Sequence, residues 1–281
     1  MQHYITLNDS RNIKLHYENF PVASLLFPKK QRDAAMILYH YARTCDDIAD
    51  EGIRTSEERL SQLKPFADNI KHLNTDKTPS LPLFVDIKHI CKEFAIEKNL
   101  LSRLMQAFEQ DVYKKRYRNM GELINYCKKA ACPAGQMILT LFNNHSKKNI
   151  RLSNHLCIAL AMIGMLQDIH EDYLKGRIYI PKDDFKKFSL TEKDIANKNY
   201  TKKWQLFKDV WLSRISDHLK QGEALEENLT GRLRLQIKVL KNTSNLLVNK
   251  LKNSNTNIFI QTPKLTKFDW GYQFLLALIK P

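Results

Sequence analysis

Two short acidic segments that lie far apart in the chain place the strongest constraint on its fold. They cover residues 42–51 and 164–177. Residues four apart lie on the same face of an α-helix, so each segment presents two carboxylates in one column if it is helical. The columns consist of Asp46 with Asp50 and of Asp168 with Asp172.

Each acidic column continues a stripe of small or apolar residues, which is typical of a helix face turned towards a protein interior. A single acidic helix end is commonly just a solvated surface, but two matching columns on inward stripes indicate a site. Like charges about 4 Å apart repel by roughly 4 kcal/mol at an effective dielectric of about 20, so a positive group is required. The stripes are Ala42, Tyr39, Leu38 and Ala35, and Gly164, Ala161 and Cys157.

Magnesium ions would satisfy that requirement. Mg²⁺ prefers oxygen ligands, keeps several waters and is usually held by one or two carboxylates together with substrate phosphates. We therefore interpret the two columns as facing each other across a site where bridging metal ions hold a diphosphate.

The rest of the sequence favours an all-α fold. Glycine is scarce, with 8 among 281 residues, and no Asn-Gly or Asp-Gly hairpin turn is present. With 43% hydrophobic residues the chain can bury a large core, enough for one large helical domain or two ordinary ones. The polar linker 74–80 resembles a domain boundary, but the first acidic column needs its partner beyond it. We therefore predict a single domain over residues 1–281, with residues 1–15 as a lead-in and C-terminal helices in 221–281.

Hydrophobic periodicity and helix-ending residues predict the individual helices. Gly52 should follow the first helix, Gly176 should end the second acidic helix, and residues 177–181 should be extended. The basic run 114–118 is either a solvated helix end or turns Arg116 or a neighbouring lysine towards a phosphate. The predicted helices cover 29 to the acidic cluster, 55–73, 82–94, 99–118, 122–131, Pro133 to the loop at 143–148, 151–175, 199–252 with a weak point at Gly222 and an Asn-rich partial loop over 242–257, and a last helix from 267.

Composition and missing motifs exclude several function classes. Five cysteines without CxxC spacing argue against a disulfide framework or a zinc site and indicate a reduced, cytoplasmic protein. We see no secretory signal and no apolar run near the length of about 20 residues that spans a bilayer. Walker, GxGxxG, HExxH and Ser-His-Asp motifs are absent, so a nucleotide cofactor such as NADPH is not expected. The net charge of +15 comes without a nucleic-acid-binding motif, so nucleic acid is not expected either, and it suits an anionic membrane or a polyanionic substrate.

At the acidic segments the sequence resembles the squalene/phytoene synthase family of head-to-head prenyl transferases. The resemblance covers most of residues 16–220. Within the family, the segment 18–24 and Gln167, which replaces the usual Asn, are similar to the hydroxysqualene synthase (HpnC-type) branch of hopanoid biosynthesis. The residues that carry the family resemblance are Arg43 with Asp46-Asp47-x-x-Asp50, the region from Tyr126 to Gly135, and Gln167-Asp168-x-x-Glu171-Asp172-x-x-Lys175-Gly176-Arg177-Ile178-Tyr179-Ile180-Pro181.

The resemblance implies the isoprenoid synthase fold, a single large helical bundle around a central apolar cavity. It also implies two or three Mg²⁺ ions bound with the substrate diphosphate, and Tyr126 near the developing carbocation or bonded to the diphosphate. The implied metal site consists of Asp46, Asp47, Asp50, Asp168, Glu171 and Asp172. The implied diphosphate contacts are Asn19, Arg43, Gln167, Lys175 and Arg177. We expect Phe20, Tyr39, Leu160, Ile163 and Gly164 to line the cavity.

The expected reaction converts presqualene diphosphate and water to hydroxysqualene and diphosphate. A presqualene diphosphate synthase would supply the substrate, an FAD-dependent hydroxysqualene reductase would consume the product, and the basic surface would contact the inner membrane face. One alternative is a condensing synthase that joins two farnesyl diphosphates into presqualene diphosphate, dehydrosqualene or squalene. A non-catalytic assembly relative of the family and a basic nucleic-acid binder are the rivals from other classes.

Overall fold

The computed structural model describes residues 26–279, and apart from one isolated β-bridge all regular structure in this range is helical. The all-α prediction is confirmed. Asn19, Phe20 and the expected lead-in 1–15 lie outside the described residues. The helices are α1 Lys29–Asp50, α2 Ser56–Lys71, α3 Pro82–Phe94, α4 Lys98–Tyr113, α5 Met120–Ala130, α6 Cys132–Leu141, α7 Lys147–Gln167, α8 Ile169–Leu174, α9 Lys182–Phe188, α10 Glu192–Ala196, α11 Lys202–Gly222, a 3₁₀ turn Glu223–Asn228, α12 Gly231–Asn253 and α13 Lys267–Ile279.

Helix α7 lies in the core of the bundle, where it packs against α6 and α11. Trp204 and Trp211 of α11 are fully buried, and the Trp211 indole N–H donates to the Met162 carbonyl at 2.9 Å. Among the described residues α7 is the one helix long and apolar enough to cross a membrane, but 56% of its apolar window is buried inside the protein. Polar residues interrupt its sequence, so it holds no continuous apolar run of about 20 residues, and its packing in the core explains its composition.

Two segments differ from their predicted secondary structure, the basic run 114–118 and the Asn-rich stretch 242–257. Helix α4 ends at Tyr113, not near 118, because residues 115–118 bond to the backbone of 178–183. In that pairing the Ile178 N–H donates to the Lys115 carbonyl at 3.0 Å, and Tyr117 becomes fully buried. The two segments that follow α4 and α8 are thereby held side by side.

The Asn-rich stretch predicted as a partial loop is helical as far as Asn253. Leu247, Val248 and Leu251 are buried on one face of α12, so the apolar stripe outweighs the poor helix propensity of the asparagines. Buried Ser244 donates its hydroxyl to the Leu240 carbonyl at 2.7 Å, which satisfies the hydroxyl within the helix.

At Gly222, helix α11 lies in close contact with α7. A Cβ atom there would lie 2.6 Å from the Cγ and Cδ2 atoms of Leu156 and 3.1 Å from the Leu152 carbonyl oxygen. Such distances are too short for ordinary contact, so only glycine fits without displacing the neighbouring helix.

Substituting Gly222→Ala should lower the free energy of unfolding by about 1–3 kcal/mol, because the added methyl group overpacks the contact with α7. Gly271→Ala is the matched control: it also lies in a helix, but a Cβ there meets nothing within 4 Å. The control should gain up to about 1 kcal/mol from helix propensity. Urea titrations of the three proteins provide the comparison, and equal stability of Gly222→Ala and the parent would contradict the close approach.

Candidate active site

An apolar cavity of about 370 Å³ lies inside the bundle, among α1, α4, α6, α7 and α12. Among the described residues that line it, Arg43 and Asp46 of α1 are the only charged ones. The α1 side of the cavity is therefore apolar along most of its length and charged at the C-terminal end of the helix. The α1 residues that line it are Ala35, Leu38, Tyr39, Ala42, Arg43 and Asp46.

The α7 side of the cavity is an i, i+3, i+4, i+7, i+8 stripe that consists of Ser153, Leu156, Cys157, Leu160 and Ala161. Leu160 thus lines the cavity as expected, like Tyr39 of α1. Ile163 does not: it falls off this stripe and is fully buried between neighbouring helices. Gly164 continues the stripe and faces open space, but it has no side chain and is not part of the lining.

Arg43 neutralises part of the first acidic segment from the same helix. Its guanidinium contacts Asp46 at 3.1 Å and Asp47 at 2.6 Å, at i+3 and i+4 spacing. Helix α1 then ends at Asp50, and Gly52 adopts a positive φ of 73°, as the predicted helix stop requires.

Asp46 has an unusual electrostatic environment. Its side chain lines the cavity and keeps 41% of its surface exposed. Burial, followed by the charge of Asp50, raises the pKa of the Asp46 carboxyl to about 7 against the lowering effect of Arg43. This carboxylate is thus under-neutralised and suited to receive further positive charge.

The second acidic segment is built by a helix break followed by a glycine turn. Contrary to the predicted continuous helix, α7 ends at Gln167 and α8 begins at Ile169, although Asp172 N–H still donates to the Asp168 carbonyl at 2.8 Å. Gly176, with φ of 77°, ends α8, and the Arg177 N–H bonds back to the Asp172 carbonyl at 2.8 Å. The helix stop at Gly176 is as predicted, and the glycine turn in addition returns Arg177 to the carboxylates.

Arg177 joins the two acidic segments. Its guanidinium pairs with both carboxylate oxygens of Asp50, one of them at 2.6 Å, and lies 3.5 Å from Asp172. Its side chain is 6% exposed, so the ion pair is almost completely removed from solvent. Burial, countered by Arg177, raises the pKa of Asp172 to about 7, and the charges of Asp168 and Asp50 add to the rise.

Lys175 forms a second link between the segments. Its ammonium lies 2.9 Å from Glu51 and 3.9 Å from Asp50. The ends of α1 and α8 are thus clamped by two cations, Lys175 near the surface and Arg177 inside.

The remaining residues expected at the site differ in their exposure and in their hydrogen-bond partners. Asp168 and Glu171 are exposed, and the charge of Asp168 reaches Asp172. Gln167, expected at the diphosphate, donates its side-chain amide to the Pro263 carbonyl at 2.9 Å, in the segment that precedes α13. Arg116 pairs with Glu192 and the Gly176 carbonyl, which rules out its turning towards the carboxylates in this structure.

Tyr126 is buried beside Asp111, an acidic residue that no sequence motif marks as part of the site. The Tyr126 hydroxyl donates to Asp111 at 2.6 Å, and the Tyr179 hydroxyl donates to the other carboxylate oxygen at 3.1 Å. The rings of Tyr117, Tyr126 and Tyr179 pack together, and the Arg177 guanidinium lies 5.7 Å above the Tyr179 ring centre. Asp111 could have been suspected from its place in the run Asp111-Val112-Tyr113, one turn before the basic residues, but no acidic partner lies at helical spacing to mark it.

The Asp111 cluster belongs to the same electrostatic system as the acidic columns. Burial raises the pKa of Asp111 to about 6, although the Tyr126 hydrogen bond and Arg177 lower it. Its charge in turn contributes to the raised pKa of Asp46. Asp111 therefore holds Tyr126 and Tyr179 in place beside the candidate site.

The donor chemistry of the site fits a hard divalent cation. Within residues 26–279 no three His, Cys, Asp or Glu side chains come close enough together to hold a metal ion by themselves. Two carboxyls of the acidic segments, Asp46 and Asp172, have raised pKa values, however, and the buried Arg177 Nε has no hydrogen-bond partner in the described part of the chain. The two carboxylates could bind Mg²⁺, which prefers oxygen ligands and keeps several waters. The Arg177 Nε could donate a hydrogen bond to a phosphate oxygen.

The chain is similar in sequence to known proteins of one family. A model of the squalene/phytoene synthase family matches residues 13–269. A hydroxysqualene synthase of Zymomonas mobilis is 33% identical over 182 residues, which are 64% of this chain and 60% of the relative. A presqualene diphosphate synthase of Rhodopseudomonas palustris is 30% identical over 177 residues, 63% of this chain and 62% of the relative. The chain thus spans about three fifths of the length of these relatives.

A solved structure extends the similarity to the fold. The squalene synthase HpnC from Alicyclobacillus acidocaldarius superposes with a TM-score of 0.78 at 26% sequence identity, over 87% of this chain and 92% of that one. The expected isoprenoid synthase architecture and family resemblance are confirmed.

The buried Asp111 carboxyl predicts a pH dependence of stability. Its pKa is raised from 3.8 to about 6, so the folded state retains a proton that the unfolded state releases between these pH values. The stability it contributes is complete below about pH 4 and is lost as the pH rises to about 6. The unfolding free energy of the parent minus that of Asp111→Asn should fall across this window by up to about 3 kcal/mol, since one pKa unit corresponds to about 1.4 kcal/mol.

Asp68→Asn is the control for urea titrations at several pH values. Hydrogen bonds from Lys64 and Lys71 hold the pKa of Asp68 at about 2, so it stays ionised throughout the window and its replacement should leave the profile unchanged. A constant difference between the parent and Asp111→Asn from pH 4 to 6 would contradict the assignment.

Proposed function

This chain belongs to the squalene/phytoene synthase family, and from that membership we propose that it converts presqualene diphosphate and water to hydroxysqualene and diphosphate. The observation that carries the proposal is the combination of an apolar cavity with a clustered set of acidic and basic groups at its α1 end. A substrate with a long hydrocarbon part and a diphosphate head has the same two-part character.

The hydrocarbon part would occupy the cavity. Its volume of about 370 Å³ lies within the range of roughly 300–1,000 Å³ that is usual for small-molecule sites. Burial of apolar carbons contributes about 0.8 kcal/mol per CH₂ group, so a thirty-carbon chain has ample energy for binding. Tyr39, Leu104 and Leu160 belong to the walls that would exclude bulk water from the reacting carbons.

The diphosphate would bind at the charged end, where Arg43, Lys175 and Arg177 supply positive charge. Each of these cations is paired with a carboxylate in the structure, so phosphate oxygens would share or replace those pairs. Arg177 also offers its Nε donor, which is buried without a partner among the described residues. Charge-assisted hydrogen bonds of this kind stabilise a leaving diphosphate.

Mg²⁺ bound with the substrate would neutralise charge that develops on the leaving group. The ligands would be drawn from Asp46, Asp50, Asp168 and Asp172, with Asp47 and Glu171 beside them. The raised pKa values of Asp46 and Asp172 support this part of the proposal, because a nearby cation favours the ionised carboxylate.

In the reaction, the carbon–oxygen bond of presqualene diphosphate breaks and its electron pair leaves with the diphosphate. The cyclopropylcarbinyl cation rearranges inside the apolar cavity, a water oxygen bonds to the cationic carbon, and the departing diphosphate accepts the released proton. Tyr126 would face the cation or the diphosphate from the Asp111 cluster. No hydride donor takes part, so the reaction should be indifferent to NADPH.

This reaction places the enzyme between two others. A presqualene diphosphate synthase would supply the substrate, and an FAD-dependent hydroxysqualene reductase would consume the product. The hydrocarbon parts of the substrate and of the product are poorly soluble in water. We therefore also propose a cytoplasmic location with peripheral contact at the inner membrane face.

Condensation of two farnesyl diphosphates is the second candidate. It is favoured by the 30% identity with a presqualene diphosphate synthase, a value close to the 33% with a hydroxysqualene synthase. Both reactions use the same diphosphate chemistry, and the shape of the cavity would decide between them.

Incubating the purified protein with Mg²⁺ and presqualene diphosphate in H₂¹⁸O should yield hydroxysqualene with one ¹⁸O atom in its hydroxyl group, measured by mass spectrometry. Incorporation of ¹⁸O reports cleavage of the carbon–oxygen bond and not of the phosphorus–oxygen bond. Addition of NADPH should leave the product unchanged. Turnover of farnesyl diphosphate in place of presqualene diphosphate would instead establish the condensing reaction.

Asp46→Asn and Asp168→Asn should each lower kcat at least about 100-fold, because each removes a negative group from the proposed metal and diphosphate site. Asp33→Asn is the matched control, since Asp33 lies on α1 in an exposed pair with Lys29 and away from the cavity. Circular dichroism would establish that all three variants keep the helical fold. Near-normal Mg²⁺-dependent turnover of either site variant would overturn the assignment.

A further inference from the structure

Helix α13 presents a continuous apolar face to solvent. We call Phe268, Tyr272, Leu275, Leu278 and Ile279 the outer face of α13; their side chains are between 51% and 79% exposed. The spacings of four, three, three and one residues place them on one side of the helix. Ala277, on the opposite side, is buried where α13 packs against α12.

This arrangement is unusual for a surface helix, which normally carries charged or polar residues on its outer side. Twelve large hydrophobic residues are exposed in the described part of the chain, and five of them form this face while a sixth, Ile260, lies shortly before it. The others are scattered singly over the surface, which is normal. The clustering on α13 therefore indicates an interaction surface.

The outer face is held in a fixed orientation. Asp269, in the first turn of α13, pairs with Lys250 of α12 at 2.5 Å and accepts hydrogen bonds from the Thr266 backbone N–H and hydroxyl. The Asp269 N–H in turn donates to the Thr266 hydroxyl, which completes a reciprocal cap. The helix is thus anchored at its start, and its apolar face points outward because of that anchoring.

Charge identifies the chemistry of the partner. Residues 250–281 contain five basic residues and one acidic residue, Asp269, which already pairs with Lys250. Lys264 and Lys267 lie at the N-terminal side of the apolar face. A second copy of this chain would bring two strongly basic regions together, and the resulting repulsion disfavours such a dimer. An anionic lipid bilayer offers both a negative surface and an apolar interior.

We propose that α13 is an in-plane membrane-docking helix whose outer face inserts into the headgroup and acyl-chain boundary of an anionic phospholipid bilayer. Lys264 and Lys267 lie at the level of the headgroup phosphates in this arrangement. Aliphatic and aromatic side chains on one face with lysines beside them are the usual composition of such helices.

The docking helix is connected to the candidate active site by two contacts. Pro263, four residues before α13, accepts the hydrogen bond from Gln167, the residue that precedes Asp168. Helix α12, on which α13 packs, contributes Ile237 and Leu240 to the cavity. The docked surface therefore adjoins the elements that would receive a membrane-dissolved hydrocarbon chain; this last step, unlike the docking, rests on the proposed function.

Cosedimentation of the full chain with vesicles tests the docking without any substrate. The parent protein should bind vesicles of phosphatidylcholine with phosphatidylglycerol, and bind pure phosphatidylcholine vesicles at least tenfold more weakly. The triple variant Phe268→Gln, Leu275→Gln, Ile279→Gln should lose at least tenfold in partitioning to the anionic vesicles. Val85→Gln with Leu206→Gln, two exposed apolar residues outside the face, should bind like the parent.

Several outcomes would overturn the proposal. These are equal binding by the triple variant and the parent, equal binding to neutral and anionic vesicles, or no vesicle binding by a parent that sediments as a dimer and becomes monomeric in the triple variant. Turnover of detergent-dispersed presqualene diphosphate separates the two proposals: the triple variant should retain the parent's kcat. Vesicle binding by a parent protein that turns over no prenyl diphosphate would leave the docking intact and overturn the proposed reaction.

Discussion

The buried guanidinium of Arg177 is the interaction on which the candidate site depends. It holds carboxylates from α1 and from α8, whose positions in the chain are more than a hundred residues apart. Removing one partner from a buried ion pair typically costs about 3–5 kcal/mol, because an uncompensated charge is left away from water. The two acidic segments are therefore fixed relative to each other before any ligand binds, and Lys175 reinforces the same junction from the surface side.

The charge balance around this junction is incomplete. Asp46 faces the cavity, Asp172 shares Arg177 with Asp50, and Asp111 is buried between two tyrosine hydroxyls. The pKa values of all three carboxyls are raised, chiefly by burial, so their ionised forms are unfavourable here without further positive charge. Strongly perturbed carboxyls are found more often at functional sites than elsewhere in proteins, which is consistent with the proposed binding of Mg²⁺ and a diphosphate here.

Apolar surface is used in two different ways in this molecule. Helix α7, the most apolar long helix, turns its residues into the core and the cavity, whereas α13 leaves large side chains in solvent while its other side packs on α12. Interior and exterior apolar surfaces are thus linked through α12, which contributes to both the cavity wall and the support of α13. This continuity suits a protein whose proposed ligands are themselves largely hydrocarbon.

Local spacing in the sequence was sufficient to predict the helical class, the two acidic segments, the stripes that line much of the cavity and the helix stop at Gly176, because each of these depends on residues close together in the chain. The tertiary structure determined the features that depend on contacts between residues far apart in the chain. Residues 115–118 leave the helix because 178–183 offer backbone partners, and Asn-rich α12 stays helical because its leucines are buried. Asp111 becomes a buried member of the site only when α5 and the segment after α8 bring Tyr126 and Tyr179 to it, since its partners are 15 and 68 residues away.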